Sequence, residues 1–345
     1  MLKSTRSRHD LNRNLDLTHK MKTPHPFLVF LFLASAVNGF AAEGQKDPTF
    51  LDPAQAGPDF IVQGEYTGAI AGSGKKLAAQ VIALGDGKFR AVFLQDGLPG
   101  AGWDKSPKIE IDGQTDGGQT TFPESKGYSA AIAKGTLTGK TDQGQSFKLS
   151  KRVRLSPTLG AKPPPGAIVL FDGSNTDAWQ AGHMDERKLL PAGTKTRENF
   201  QDFSLHAEFL LPFKPFGRGQ GRGNSGVYLQ DRYEVQVLDS FGLRGANNEC
   251  AGIYSQIAPS VNMCFPPLQW QTYDIDFRAA QFDAEGKKIK NAVVTVKHNG
   301  VVVHDQQEIR GPTGGGKPEG PTPGAIQLQG HGNPVFFRNI WLVKK

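Results

Sequence analysis

Residues 223–242, GNSGVYLQDRYEVQVLDSFG, set Glu234 and Gln236 two apart inside a run of valines. With the two-residue period of a strand, Tyr233, Val235 and Val237 point one way, and Glu234, Gln236 and Leu238 the other. The run before it sends Val227 and Leu229 to the core and Asn224, Gly226, Tyr228 and Gln230 to the opposite face. The segment AIQLQGH, 325–331, turns Ile326 and Leu328 inward and Gln327, Gln329 and His331 outward. These segments together offer a face of amides, phenol, carboxyl and imidazole, where a solvated face would carry Lys, Glu and Thr. Planar amides match the donor–acceptor pairs of hydroxyl groups, and aromatic rings stack on the C–H surfaces of pyranoses. The pattern therefore points to sugar recognition, and a wet outer sheet face is the alternative.

Other polar clusters have less chemistry in them. GRGQGRG, 217–223, has spaced glycines, but no Gly-Lys-Ser/Thr follows it. It reads as a mobile loop beside the polar face, with Arg218 and Arg222 as possible ligand contacts. Asp172, Asn175 and Asp177 lack the spacing of a calcium loop and read as a turn. His183, Asp185 and Glu186 have no zinc-binding spacing, and no Gly-x-Ser-x-Gly elbow is present. No metal site or cofactor is called from the spacing, although a divalent metal stays open.

Short strands must position these residues. The chain has 345 residues, with 42 glycines and 23 prolines, which favours a turn-rich, all-β chain of two modules. From 59 to 156 short strands alternate with turn signals such as Gly85-Asp86-Gly87 and Asp116-Gly117-Gly118, predicting a small antiparallel sheet or barrel in an accessory role. FIVQGEYTGAI, 60–70, is its first expected strand. Residues 157–166 hold three consecutive prolines and read as a stiff linker. From 167 to 345 strands return. FSLHAEFLL and TYDIDF alternate, and AVVTVKHNGVVVHD reads as two strands joined at Asn299-Gly300, a dipeptide suited to a type I′ turn. Long loops without a repeat period predict a two-sheet β-sandwich.

Residues 1–41 read as an export signal. Lys22 precedes an apolar run from Pro26 to Val37, and Gly39-Phe40-Ala41 supplies small residues for cleavage, with Met21 as a possible true start. The run is too short for a membrane span, so none is expected in the mature chain, and 42–58 reads as a polar leader. The signal holds +4 of the chain's net +7, which leaves +3 and no basic stripe, so a nucleic-acid partner is not expected. In an exported chain Cys250 and Cys264 are expected to close a disulfide across one loop, with two reduced, buried cysteines as the alternative. Nothing in the sequence addresses oligomeric state.

LFDGSNTDAW, DFSLHAEF, GNSGVYLQDRYEVQVLDS, WQTYDIDF, HNGVVVHD and IQLQGHGNPVFFRNIWLV follow one another across residues 169–343. As an ordered set they resemble the 3-keto-disaccharide hydrolase domain family. The resemblance implies a concanavalin A-like jelly-roll sandwich and secreted carbohydrate processing, on a carbohydrate substrate. A ketone at C3 acidifies the C2 proton, so a single base can start elimination of the C1 oxygen substituent, with water adding afterwards. Such a site needs a base, a group to hold the enolate oxygen and a proton donor for the leaving oxygen. Glu234 or His331 is the expected base. Asn224, Gln230, Gln236 and Gln329 are expected to hold hydroxyls or the enolate, and Tyr228, Tyr254 and Trp270 to stack. Arg222 or Arg232 is a candidate cation, and Asp239 either belongs to the face or caps a turn. The alternatives are a lectin-like binding protein and an ordinary endo-glycosidase, which would need a second carboxylate.

Overall fold

The computed structural model describes residues 47–345, which form one compact unit with barrel and sandwich packed together. The expected export signal and the start of the leader lie outside the described residues.

The first module is a closed barrel of eight antiparallel strands. They are β1 (Gly64–Ile70), β2 (Lys76–Gly85), β3 (Lys88–Gln95), β4 (Ile109–Asp116), β5 (Gln119–Ser125), β6 (Tyr128–Ala133), β7 (Thr136–Lys140) and β8 (Ser146–Arg152). Each pairs with its successor, and β8 closes on β1, so no edge is left unpaired. Tyr66, Phe89, Phe93, Phe122 and Phe147 fill the interior. Two features depart from the sequence reading. Phe60–Val62 is not strand but the end of a short helix, α1 (Gly57–Val62), which Pro58 and Asp59 start. Strand β5 carries Pro123 at an irregularity between Phe122 and Ser125, a position where a missing N–H is tolerated.

The second module has two packed sheets and a separate two-stranded ribbon. The strands are β9 (Ile168–Phe171), β10 (Trp179–Gln180), β11 (Leu190–Pro191), β12 (Thr194–Thr196), β13 (Phe203–Leu210), β14 (Asn224–Leu229), β15 (Tyr233–Leu238), β16 (Trp270–Arg278), β17 (Gln281–Phe282), β18 (Lys288–Lys290), β19 (Ala292–His298), β20 (Val301–Ile309), β21 (Gln327–Leu328) and β22 (Phe336–Lys344). Five form a sheet in the order β10-β12-β21-β14-β15, a second runs β11-β22-β13-β16-β19-β20 with β9 beside β22, and β17–β18 is the ribbon. Val227, Leu229, Val235 and Val237 of the first sheet pack with Phe209, Tyr273, Phe277 and Val294 of the second in one core, as the alternation requires. Asn299 and Gly300 both have positive φ, 49° and 79°, at the β19–β20 turn, as a type I′ hairpin demands.

The proline segment is fastened, not free. Thr158 Oγ1 donates to Asp274 Oδ2 (2.7 Å), and the Ala161 carbonyl accepts from Asn339 Nδ2 (3.0 Å) and Trp341 Nε1 (3.2 Å). These bonds lay residues 158–161 across the outer side of the β22-β13-β16 sheet.

Candidate active site

The hairpin β14–β15 builds the site. Gln230 and Asp231 at its turn both adopt left-handed φ, 59° and 57°, which non-glycine residues rarely do. The turn is held from outside. The Asp231 N–H donates to the Ala325 carbonyl (2.8 Å), and Arg232 donates to Gln230 Oε1 (2.8 Å) and to the Pro318 and Thr322 carbonyls. That register sets Tyr228 opposite Glu234 and Gly226 opposite Gln236, all on the side away from the core. Strand β21 adds Gln327 beside Tyr228, and the Gln329 N–H donates to the Gly226 carbonyl (2.8 Å).

Glu234 is the centre of this arrangement. It is only 2% exposed, and burial pushes its carboxyl up to about 7. Tyr228 Oη lies 2.9 Å from Glu234 Oε2 and 2.6 Å from the Gly314 carbonyl, with Gln329 Nε2 at 3.4 Å. Glycine at 226 is a requirement of the site, since a Cβ there would collide with the Glu234 carboxyl. Tyr254 donates its N–H to the Glu234 carbonyl (3.1 Å), and its ring borders Gly314.

A second group lies further along the hairpin. Asn224 Nδ2 and Gln236 Nε2 both donate to Gln220 Oε1, at 3.2 and 3.3 Å. Asn224 Oδ1, Gln236 Oε1 and Gln329 Oε1 are buried with no hydrogen-bond partner among the described residues. A buried polar atom left so costs about 1–3 kcal/mol, which hydroxyl donors of a ligand would recover. Asp239 and Arg222 are both buried and form an ion pair, Nε to Oδ2 at 3.1 Å, beyond the end of β15. Beyond Gln327 a groove of about 530 Å³ opens, lined by Gln180, Thr194, Lys195 and Gln327.

Gln220 has no counterpart in the sequence reading. It stands in GRGQGRG, whose glycines signalled a loop but not its direction. The barrel sets that direction. Arg218 donates to the Leu84 carbonyl of the barrel (2.6 Å), so it is a strut and not a ligand contact. Phe216 packs against Gly85, and Gln220 Nε2 reaches the Asn248 carbonyl (2.7 Å).

Several expectations need correction. Gln230 faces the turn instead of the site, donating to the Phe200 carbonyl (2.9 Å), because the strand ends at Leu229. Arg232 is likewise spent on the turn. Trp270 belongs to β16 in the other sheet, where Arg338 covers its ring at 3.9 Å, so it cannot stack on a ligand at Glu234. His331 is exposed, beyond the end of β21, and its side chain has no hydrogen bond to Glu234 or Gln236 among the described residues. Cys250 and Cys264 are both buried and are free thiols in the structure. Cys250 Sγ sits 3.3 Å from Tyr273 Oη, and Cys264 Sγ faces the Leu238 and Phe265 carbonyls.

No group of three or more His, Cys, Asp or Glu is placed to hold a metal among the described residues. No helix among them is long and apolar enough to cross a membrane.

Among curated proteins none matches the chain. Among solved structures, one from Parabacteroides distasonis ATCC 8503, provisionally named a glycosyl hydrolase, is 36% identical, covers 53% of this chain and 85% of its own, and superposes with a TM-score of 0.49. Two more from that organism, with the same provisional name, are 17% and 22% identical. Each covers 52% of this chain and 94% or 99% of its own, with TM-scores of 0.40 and 0.38. A family model, the 3-keto-alpha-glucoside-1,2-lyase-like domain, matches residues 166–343, just over half of the chain and all of the sandwich but its last residues. The chain belongs to the 3-keto-alpha-glucoside-1,2-lyase-like domain family.

Proposed function

We propose that this protein is an exported hydrolase of 3-keto-glycosides that works by elimination and hydration, with Glu234 as the group that moves the proton. One observation carries the reading: a single buried carboxyl with its pKa near 7 on a face otherwise made of amides and a phenol. An ordinary glycosidase needs two carboxyl groups across the scissile bond. The other acids around this sheet are engaged. Asp239 pairs with Arg222, Asp231 with Lys195 and Lys317, and Glu249 accepts from the Gly245 and Ala246 N–H groups. A ketone in the substrate removes the need for a second one, because it makes the C2 proton acidic enough for one base near neutral pH.

In this reading the Glu234 carboxylate takes the C2 proton and the C–H electron pair becomes the enolate. When the C1–O bond breaks, that pair forms the C1=C2 bond, the ketone returns, and the leaving oxygen takes the proton from Glu234. Water then adds across C1=C2, its hydroxyl at C1 and a solvent proton at C2. Asn224 Nδ2 and Gln236 Nε2 converge on one oxygen, now that of Gln220, and a substrate oxygen in its place would gain both donors. The groove beside Gln327 is the natural place for the rest of the glycoside.

The test compares a 3-keto-glucoside with the same glucoside unoxidised. Release from the keto compound alone, with solvent deuterium entering at C2, is expected. Release from both compounds would point to an ordinary glycosidase, and binding without release to a lectin-like role. Either result would overturn the proposal.

A further inference from the structure

Hydrogen counting at Tyr228 bears on where the proton of Glu234 lies. The phenol oxygen has three polar neighbours: the Gly314 carbonyl at 2.6 Å, Glu234 Oε2 at 2.9 Å and Gln329 Nε2 at 3.4 Å. A phenol has one hydrogen, and a peptide carbonyl has none. The hydrogen in the short contact to Gly314 therefore comes from Tyr228, and none is left for Glu234. An ionised Glu234 would set two lone-pair oxygens face to face at 2.9 Å in a site almost closed to water, where an unpaired charge is costly.

We propose that Glu234 is protonated in the resting protein and donates its hydrogen to Tyr228 Oη, while Tyr228 donates its own to the Gly314 carbonyl. Tyr228 is thus a positioning residue that stabilises the neutral carboxyl. The Glu234 N–H donates to Thr313 Oγ1, and the other titratable group beside Tyr228 is Tyr254. The nearby cations are turned elsewhere: Arg232 to the Pro318 and Thr322 carbonyls, and Lys317 to Asp231. Burial adds to the effect by penalising the charged form.

The consequence for catalysis rests on the function proposed above. Once the carboxylate has taken the C2 proton, Tyr228 Oη accepts a hydrogen bond from the new carboxyl and holds that proton until the C1 oxygen leaves. kcat/KM on a keto-glycoside should therefore rise with pH through the pKa of Glu234.

Tyr228→Phe gives a test by sign. Removing an acceptor destabilises the neutral carboxyl, so the pKa of Glu234 should fall, by up to about one pH unit. Had Tyr228 been donating to a carboxylate, the same change would raise it. The measurement is a carbon NMR titration of protein labelled at its glutamate carboxyls, residue 234 being identified by the signal missing in Glu234→Gln. A fall supports the proposal, and a rise or no change overturns it. Should Tyr228→Phe not fold, infrared spectra of the unsubstituted protein at pH 6 decide. A protonated-carboxyl band absent from Glu234→Gln is expected, and the lack of that band overturns the proposal. Neither readout uses a substrate, so failure here is distinct from failure of the 3-keto reading.

Discussion

Glu234→Gln should stabilise the protein while abolishing its activity, and the gain should depend on pH in a calculable way. The carboxyl titrates near 4.5 when free and near 7 in the fold because it is buried. Its folded pKa is raised, so the folded state holds the proton more tightly than the unfolded chain. The contribution to stability is fully present below about pH 4.5 and is lost as pH rises to about 7. At about 1.4 kcal/mol per pH unit, a rise of two and a half pH units makes about 3 kcal/mol. A glutamine has no such loss. The difference in unfolding free energy between Glu234→Gln and the unsubstituted protein should therefore grow in the variant's favour by about 3 kcal/mol between pH 4.5 and 7, and then level off. Urea melts of both proteins at half-unit pH steps measure it. Parallel stability profiles would refute the reasoning, because they would mean that Glu234 titrates alike folded and unfolded. The stabilisation matters for function too: a fold that retains a group at this cost has a use for it.

Gly226→Ala would ordinarily favour a strand, but here the added methyl meets the Glu234 carboxyl. It should destabilise by about 1–3 kcal/mol and remove activity, as thermal melts and turnover would show. Arg222→Met leaves Asp239 buried without its partner and should cost about 3–5 kcal/mol, whereas adding Asp239→Leu to it should restore much of that loss in urea melts. Because Cys250 and Cys264 are thiols, a strong reductant should leave the melting temperature unchanged, and two thiols should titrate after unfolding. A melting temperature that falls on reduction would show a bridge instead.

Much of the fold was legible because period-two alternation is local. The valines of 227–237, the alternating run at 203–210 and the Asn299-Gly300 turn each express their burial or φ demand within a few residues. Strands β5 and β7 carry little signal for an equally local reason: β5 holds a proline and β7 has a single buried apolar residue, Leu137. The polar face was legible up to the point where strands stop. Alternation extended through Gln230 and His331 overshoots, because Leu229 and Leu328 are the last residues in the ladders, and nothing in a periodic pattern says where a ladder ends. Trp270 failed differently. Its type suits sugar stacking, but the sheet to which a strand belongs is a matter of long-range pairing.

What no periodicity could show is how the barrel reaches the site. A proline segment between two strand-rich stretches reads as a spacer, yet loops without pattern join the modules. Phe213 of the sandwich chain packs in the barrel's own core, Lys108 of the barrel donates to the Leu243 carbonyl (2.6 Å), and Arg218 donates to Leu84. Phe213 and Arg218 flank the stretch that leads to Gln220, the side chain bonded to both Asn224 and Gln236. Its neighbours Gly219 and Gly221 close a 3-10 turn around it, and Gly219 supplies the left-handed φ of 50° that the turn uses. A loop anchored on the barrel, with Gln220 in its 3-10 turn, is thus the element that covers the amide end of the site. The barrel thereby holds in place the loop that carries Gln220 to that end. Its remote carbonyl at Leu84 belongs to the site's architecture as much as the strands beneath it.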